Sequence, residues 1–485
     1  MILNHSKLQR CCGLMLVLLI VVAALVYAIG GEQFHYENRQ TTMLTPTTPV
    51  GEITGDTVLT QALSVPGDTL LSVTLRAATY ARDNTGTLLL ELLDGEGNLL
   101  HTQAVDISQL QDNANFTFSL PQPLPVPGSG IVLRITAPDS QPGNAVTLYA
   151  GNSISATRAE VSADLDDADV LYLNGQPQTV ALCTQVSARS SLWFGDVYGY
   201  LAAGVVVLAA LFCLYLLHCN KVGKPFWVLL ILSSLNRYHF LMEQLVARDF
   251  KTKYRRSVLG VIWSFLNPLL TMLVQYVVFS TLFKSDIPNF ALYLLSGIVT
   301  YSFFSEATNM TLSSIVSNSS LITKVYVPKY IYPLTRVISS TVNFLFALIP
   351  LLGVMLFTRS PITWALLLMP LGILCLFCLS LGVGLLLSTA MVYFRDTQFL
   401  WTVVSMIWMY LTPVFYPESI IPAQLLPVYR CNPLYQILAF FRAILLEGVS
   451  PSPSCYLGVI LSALIPLLLG AIVFRKNQNE FILYL

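Results

Sequence analysis

Residues 198–217 read YGYLAAGVVVLAALFCLYLL, an apolar stretch without a single charge. A helix rises 1.5 Å per residue, so a run of that length matches the roughly 30 Å hydrocarbon core of a bilayer. In lipid every backbone donor and acceptor must be satisfied within the segment, which leaves only a helix for such a run. A second apolar run, 11–29, follows Lys7 and Arg10 and is just long enough to cross. A cleaved signal peptide is its competing reading. An uncleaved anchor is preferred, because no small-x-small site precedes a polar start. Composition agrees with a membrane protein: 55% of the 485 residues are hydrophobic and 11% charged, against about 25% charged in soluble domains.

Six further spans are predicted at 261–283, 291–311, 337–357, 364–391, 399–416 and 456–474. With the first two they make about eight transmembrane helices and leave both termini on one side. Charge fixes which side. Lys7, Arg10, Lys221, Lys224, Arg237, Arg248, Lys251, Lys253, Arg255 and Arg256 fall in segments assigned to the cytoplasm, as do Lys324, Lys329, Arg336, Arg395, Arg475 and Lys476. Short outer loops hold Lys284, Arg359, Arg430 and Arg442. That bias follows the positive-inside rule.

Residues 32–195 have a different texture. Short alternating or apolar stretches at 72–81, 87–93, 98–105, 115–120, 131–137, 145–150, 170–173 and 179–186 are parted by turn signals such as 94–98, the proline-rich 121–130, Pro142-Gly143 and Asn174-Gly175. This spacing predicts an all-β sandwich. The expected fold class is therefore an α-helical polytopic membrane protein with an inserted extracytoplasmic β-sandwich, jelly-roll-like. Its divisions are an N-terminal transmembrane anchor (1–31), the β-domain (32–196), a second transmembrane helix (197–218), a cytoplasmic linker with an amphipathic helix (219–260) and a six-helix membrane domain (261–485).

The amphipathic helix begins at Arg237. Tyr238, Leu241, Met242, Leu245, Val246, Phe250 and Tyr254 recur at three- and four-residue steps, with Arg248, Lys251 and Arg255 on another face. Such a helix sinks one side into a leaflet and offers the other to lipid headgroups or an acidic partner. It is read either as a plain juxtamembrane anchor or as a device that passes force to the adjoining span. Residues 413–453 are apolar yet cut by Pro417, Pro422, Pro427 and Pro433. They read either as two short helices that dip into the outer leaflet and return, forming an external gate, or as two helices flat on the surface.

No engine is visible. Gly223-Lys224 runs into Pro225 and lacks the earlier glycine of a phosphate-cradling loop, and no hydrolase or zinc motif is present. The five histidines, His5, His35, His101, His218 and His239, are not at ligand spacing. Catalytic residues, a metal and a bound cofactor are therefore not expected. The absence of large basic or acidic tails speaks against nucleic acid as a partner. Cys11, Cys12, Cys213, Cys375 and Cys378 read as packing residues. Cys183 stands alone in the β-domain, and a Cys431–Cys455 bridge is left open. Ionisable residues are nearly absent from the spans; Glu306, towards the inner end of its span, is the exception, read either as functional or as an interfacial side chain. Trp263, Tyr276, Tyr301, Phe304, Trp401, Trp408 and Tyr410 supply rings that either pack the membrane domain or line a path on which sugars slide.

From Arg237 onward the chain resembles the permease subunits of ABC-2 type polysaccharide exporters, the O-antigen and teichoic-acid group. The residues that carry the likeness are 248–257 (RDFKTKYRRS), Leu259-Gly260, Trp263, Asn267-Pro268, 321–329 (LITKVYVPK), Phe394-Arg395-Asp396, Pro413, Asn432-Pro433-Leu434 and Phe441-Arg442. Lys329 stands where the family often has arginine. The first 235 residues, with their anchored β-domain, depart from typical members.

The resemblance implies a homodimer enclosing a channel in a bacterial cytoplasmic membrane, driven by two cytoplasmic nucleotide-binding ATPase subunits. ATP and magnesium would bind those subunits. The cargo would be a lipid-linked polysaccharide. ATPase coupling would fall to Arg248, Asp249, Lys251, Tyr254, Arg255 and Arg256 on the helix, to Lys324, Pro328 and Lys329 in the loop, and to Arg395 and Asp396. The channel would be lined from 261–283 and 399–416, and the external gate would include Pro413, Asn432, Pro433 and Arg442. The β-domain also resembles jelly-roll carbohydrate-binding modules. Tyr80, Arg82, Asn84, Asp112 and Asn113, at predicted strand ends, are its candidate glycan contacts, against ordinary turn chemistry. Two other functions compete: a membrane glycan ligase or polymerase, and a transmembrane glycan sensor. The first needs a charged outer cluster, for which only Glu418, Arg430, Arg442 and Glu447 are available. The second needs neither a broken outer segment nor six more spans.

Overall fold

The computed structural model describes residues 5–152, 170–224, 226–254, 260, 262–282, 289–325, 327–422 and 424–484. The chain forms two compact units: Phe34–Gly195, and the remainder.

Phe34–Gly195 is a two-layer antiparallel β-sandwich. One sheet contains Tyr36–Gln40 (β1), Thr48–Pro49 (β2), Thr69–Ala78 (β4), Ala114–Pro125 (β7), Thr147–Asn152 (β9), Val180–Leu182 (β12) and Thr184–Ser191 (β13). The other contains Val58–Leu63 (β3), Thr87–Asp94 (β5), Leu99–Asp106 (β6), Ile131–Thr136 (β8), Leu171–Leu173 (β10) and Gln176–Pro177 (β11). Alternation puts Leu59, Leu63, Val73, Leu75, Leu88, Leu90, Leu92, Phe118, Leu133, Ile135, Leu148 and Val186 into the core between the sheets. All eight predicted stretches lie on strands, the last of them split into β12 and β13. At Asn174-Gly175 both residues take positive φ, 51° and 79°, as a tight two-residue hairpin needs. The Asn174 side chain also accepts from the backbone N–H of Val58 at 2.7 Å.

One turn prediction is corrected. The proline-rich stretch does not end its strand at Leu120: β7 runs on to Pro125 and pairs with β4. Its other side carries no ladder among the described residues, and an edge is where a strand tolerates proline.

In the second unit, His5–Gly30 (α1) and Phe194–Val222 (α2) form an antiparallel pair. The Tyr198 hydroxyl donates to the Ala23 carbonyl at 2.8 Å, the rings of Tyr27 and Tyr198 stack, and Leu8 and Cys12 pack with Cys213, Leu216 and Cys219. The other helices are Trp227–Tyr254 (α3), Ile262–Leu282 (α4), Phe290–Leu312 (α5), Ser319–Lys324 (α6), Ile331–Phe357 (α7), Met369–Tyr393 (α8), Thr397–Tyr410 (α9), Leu426–Arg430 (α10), Pro433–Arg442 (α11), Pro453–Asn477 (α12) and Phe481–Tyr484 (α13). Six helical segments among the described residues are long and apolar enough to cross a membrane: His5–Phe34, Phe194–Val222, Phe290–Leu312, Ile331–Phe357, Trp364–Tyr393 and Pro453–Asn477.

The span expected at 399–416 is shorter than anticipated. Its helix, α9, has 14 residues, about 21 Å of rise. The chain turns at Thr412–Val414, where Pro413 has no N–H to continue a helical ladder. The closest helix approach is between α8 and α12. A Cβ on Gly470 would lie 2.2 Å from the Gly382 carbonyl oxygen, and one on Gly382 would lie 2.4 Å from the Leu467 nitrogen. Small residues let membrane helices meet backbone to backbone.

Candidate functional site

The amphipathic helix is the C-terminal part of α3. The helix is kinked at Tyr238 (φ −106°, ψ 15°), so the expected lead-in at 226–235 and the amphipathic part form one element with a bend. Tyr238, Leu241, Met242 and Leu245 pack against a cluster that includes Ile315, Ile322, Val327, Ile331, Tyr332, Leu385, Phe474 and Phe481. The apolar face is therefore packed on α6, α7, α8, α12 and α13 and on the link after α5 rather than left bare.

Beyond Leu245 the helix turns polar and grips two other helices. Asp249, its side chain 6% exposed, is 2.6 Å from Arg336 Nη1 and 3.4 Å from Arg248 Nη2. The Ser339 hydroxyl donates to Asp249 Oδ2 at 3.2 Å. Arg248 donates to Asn318 Oδ1 at 3.4 Å. One turn on, Lys253 Nζ lies 2.8 Å from Glu306 Oε1, which also accepts from the Asn343 amide at 2.7 Å. Asp249 is thus tied to α7 and Lys253 to α5, where Glu306 is in turn tied to α7 through Asn343. These side chains line a cleft of about 530 Å³. A neighbouring hollow of about 280 Å³ shares Lys253, Glu306 and Asn343 and adds Trp263, Asn267 and Pro268 from α4. Motif residues far apart in sequence therefore meet along one polar seam.

The other expected coupling residues are spread over the same end of the unit. Lys251, Lys324, Arg395 and Asp396 are exposed, and Pro328 is half-buried. Lys329 donates to the Gln478 carbonyl and sits 5.8 Å from the Phe481 ring centroid. Burial holds its ammonium below the ordinary lysine range. Arg255, Arg256 and the side chain of Tyr254 lie outside the described residues.

At the opposite end the four expected gate residues converge. The Asn432 side chain caps α11 by accepting from the Leu434 N–H at 3.0 Å, and it also accepts from Trp408 Nε1 at 2.8 Å. Its amide donates to the Leu411 carbonyl and the Thr412 hydroxyl at 3.1 and 3.0 Å. Pro433 occupies the first turn of α11, where a missing N–H costs nothing. Arg442 donates to the Val414 carbonyl at 3.2 Å, and its guanidinium lies 3.5 Å from the Tyr293 ring centroid. The Tyr293 hydroxyl reaches the carbonyls of Pro413 and Tyr416 at 3.4 and 2.7 Å. The turn after α9 is therefore held from both flanks. The segment itself contains a 3₁₀ turn, α10, α11 and a π turn at Ala443–Glu447. Cys431 and Cys455 are both free thiols.

The aromatic candidates divide. Tyr301, Phe304, Trp401 and Trp408 pack on one another with centroids 5.2 to 6.5 Å apart. The Tyr301 hydroxyl is 2.8 Å from Ser405 Oγ. Phe304 is fully enclosed and Trp401 is 5% exposed, so within one chain these two rings weld α5 to α9 and present no open face. Trp263, Tyr276 and Tyr410 are exposed.

In the sandwich the five glycan candidates gather at one end. Asp112 accepts from the Thr79 backbone and hydroxyl at 2.6 and 3.2 Å, and these backbone bonds hold its carboxyl below the usual carboxylate range. Asn84 is buried and donates to the Thr79 carbonyl at 2.9 Å. Those two support the turn. Tyr80, Ala81 and Asn113 take the left-handed conformation, φ 57°, 53° and 56°, uncommon for residues with a Cβ. Tyr80 is exposed, Arg82 lies 5.2 Å from its ring and pairs with Glu52 at 2.9 Å, and Asn113 accepts from the Tyr149 hydroxyl at 2.5 Å.

Sequence reasoning missed Arg336, Ser339 and Asn343. The signal was present: polar residues three and four apart on one face of an otherwise apolar helix mark a site by default.

This architecture defines a class: a multi-pass membrane protein, with apolar helices of spanning length and a basic amphipathic helix pinned by ion pairs to two of them. Residues 241–446 match the ABC-2 type transporter family. The O-antigen export system permease protein of Myxococcus xanthus is 30% identical over 255 residues, 52% of this chain and 97% of that protein. Its counterpart from Klebsiella pneumoniae is 27% identical over 245 residues, 50% of this chain and 93% of that protein. The polysialic acid transport protein of Escherichia coli is 21% identical over 253 residues, 50% of this chain and 95% of that protein. The chain belongs to the ABC-2 type transporter family, whose permeases sit in the inner membrane and work with separate ATPase subunits.

Proposed function

We propose that this chain is the membrane subunit of an ATP-driven exporter of a lipid-linked cell-surface polysaccharide. It acts as a homodimer with two cytoplasmic nucleotide-binding ATPase subunits, which bind the ATP and magnesium. The observation that carries the reading is the polar end of α3. It is pinned to α7 through Asp249–Arg336 and to α5 through Lys253–Glu306, at 2.6 and 2.8 Å. A push on the exposed face of α3 would reach two apolar helices without passing through a loop. The relatives named for O-antigen export and polysialic acid transport supply the substrate class.

The end that holds Arg248, Lys251, Lys253, Lys324, Lys329, Arg336, Arg395, Arg475 and Lys476 faces the cytoplasm by the positive-inside rule. The end with Asn432 and Arg442 then faces outward as the gate, and eight spans place both termini inside. The divisions at 31, 196, 218 and 260 follow from that topology. The β-sandwich is extracytoplasmic and receives the emerging glycan at its Tyr80–Arg82 end. In vesicles the permease with its ATPase subunits should consume ATP and translocate polymer. Charge reversal at Arg255 and Arg256 should uncouple hydrolysis from export while membrane insertion persists. Normal export by that double variant, or ATP-driven export by the chain alone, would defeat the reading.

A further inference from the structure

The outward face of the seven-stranded sheet is polar, and among the described residues Arg76 is a charge on it that enters no ion pair. Register places Thr74 opposite Thr117, Ser72 opposite Ser119 and Arg76 opposite Asn115, all turned away from the core. Gln185 and Ser187 continue the row on β13, and Asn38 and Gln40 on β1. No aspartate or glutamate stands on that face among the described residues.

The neighbours of Arg76 are already occupied. Thr74 and Thr117 hydrogen-bond to each other at 2.9 Å. The Tyr149 hydroxyl is given to Asn113, and Asp112 is turned to the backbone of Thr79. Arg82, four residues past the strand end, is neutralised by Glu52. Arg76 itself enters none of the ion pairs among the described residues. Its Nε is shut off from solvent without a hydrogen-bond partner, and its guanidinium lies 5.8 Å from the Tyr149 ring centroid. A charged donor left unpaired while desolvated is costly. The planar fork matches a carboxylate in two-point geometry, and the Asn115 side chain is exposed beside it.

We propose that Arg76, with Asn115 on the adjacent strand and the Tyr149 ring as a wall, forms a subsite for the carboxylate of an acidic sugar residue. This subsite deepens the glycan-receiving role proposed above for the sandwich and rests on it. A bidentate arginine–carboxylate contact gives about tenfold to hundredfold preference for the acidic sugar over its neutral counterpart.

The test uses the full chain in nanodiscs. Calorimetric titration compares a galacturonic acid hexamer, its carboxyl-reduced neutral counterpart, a phosphodiester-linked oligosaccharide and the native surface polymer. The wild type should bind the acidic hexamer at least tenfold tighter than the neutral one. Arg76→Gln should level the two, Arg76→Lys should keep part of the preference, and Asn115→Ala should weaken only the acidic ligand. Asn115 is exposed on an edge strand, so its variant tests the subsite even if a change at Arg76 disturbs folding. Equal affinities for both hexamers, unchanged in Arg76→Gln and Asn115→Ala, overturn the subsite; if the native polymer still binds, the receiving role stands. An Arg76-dependent preference for the phosphodiester alone overturns the carboxylate assignment. Binding of no glycan, the native polymer included, overturns both.

Discussion

Replacing Asp249 by asparagine isolates the grip of the amphipathic helix on α7. The carboxylate accepts from Arg336 at 2.6 Å, Arg248 at 3.4 Å and Ser339 at 3.2 Å. Asparagine keeps the shape and can keep the serine contact, but it loses the charge opposite Arg336. Arg336 is 17% exposed, and its other described partner is the Ser317 hydroxyl at 3.5 Å. A charge-assisted hydrogen bond contributes about 1.5–3 kcal/mol, and stranding one partner of a buried pair costs about 3–5 kcal/mol. The cleft admits water, so the lower part of that span applies, about 2–3 kcal/mol. The apolar face at Leu241, Met242 and Leu245 is untouched, so the fold should survive while the polar end of α3 opens locally. An energy of that size raises the open population by roughly 30- to 150-fold. Hydrogen-exchange mass spectrometry on the full chain in nanodiscs reads it directly. Peptides covering 245–254 should exchange faster by that factor, and those covering 376–390 should not change. In the Asp249→Asn, Arg336→Gln double variant the losses should fall short of additive by at least 1 kcal/mol. Exchange within threefold of wild type, or simple additivity, would refute the clamp.

Three further outcomes can be checked. Lys253→Glu alone places like charges at Glu306 and should uncouple ATP hydrolysis from export; adding Glu306→Lys should recover part of the coupling, whereas no recovery would mean the two do not act as a pair. Asn432→Ala removes a cap and the acceptor of Trp408 Nε1; it should cost about 1–3 kcal/mol, read as a lower thermal midpoint in detergent and a shifted tryptophan emission. Asp112 has a folded-state pKa below its ordinary value because it accepts backbone bonds at Thr79. Its stabilisation of the Thr79–Ala81 turn is fully present above the ordinary aspartate pKa and lost as pH falls through the lower folded value. NMR of the turn amides should therefore show loosening only in strong acid, and loosening between pH 6 and 5 would contradict the assignment.

Much of the architecture was legible because its signals are local. An apolar run of span length, an Asn-Gly hairpin and an alternating strand each announce themselves within a short window. Failures came where a distant group decided the outcome. Val58–Leu63 hides as a strand because its inward position 61 is glutamine, buried at 1% exposure. The Leu182 N–H donates to its side chain at 2.7 Å, across 121 residues of sequence. Tyr36–Gln40 carries almost no apolar residue and exists as a strand through pairing with β13. The site divides the same way. Arg248 stood out on the basic helix face and Asp249 through the resemblance, whereas Lys253 stood out only as one more inner charge in the same motif. Glu306 stood out as a carboxylate in a span, but the pairings were not legible, since Glu306 lies 53 residues from Lys253 and Ser339 lies 90 from Asp249.

The placement of the two ion pairs limits how α3 can move. Asp249 and Lys253 are four residues apart, hence on one face one turn apart. On α7, Arg336 (partner of Asp249) and Asn343 (partner of Glu306) are seven residues apart and also share a face. The polar end of α3 is therefore held at two points, by Arg336 and Ser339 of α7 and by Glu306 of α5, and Asn343 of α7 joins Glu306 to α7. A helix held at one point can swivel, but one held at two points on two helices is restrained from doing so. Polar contacts differ from apolar ones in that their geometry is directional: a slide of one turn would set Asp249 against the wrong group instead of repacking smoothly. The bend at Tyr238 lies on the near side of all these contacts. Motion can thus be absorbed between 227 and 238 while the segment beyond 245 travels with α5 and α7 as one piece.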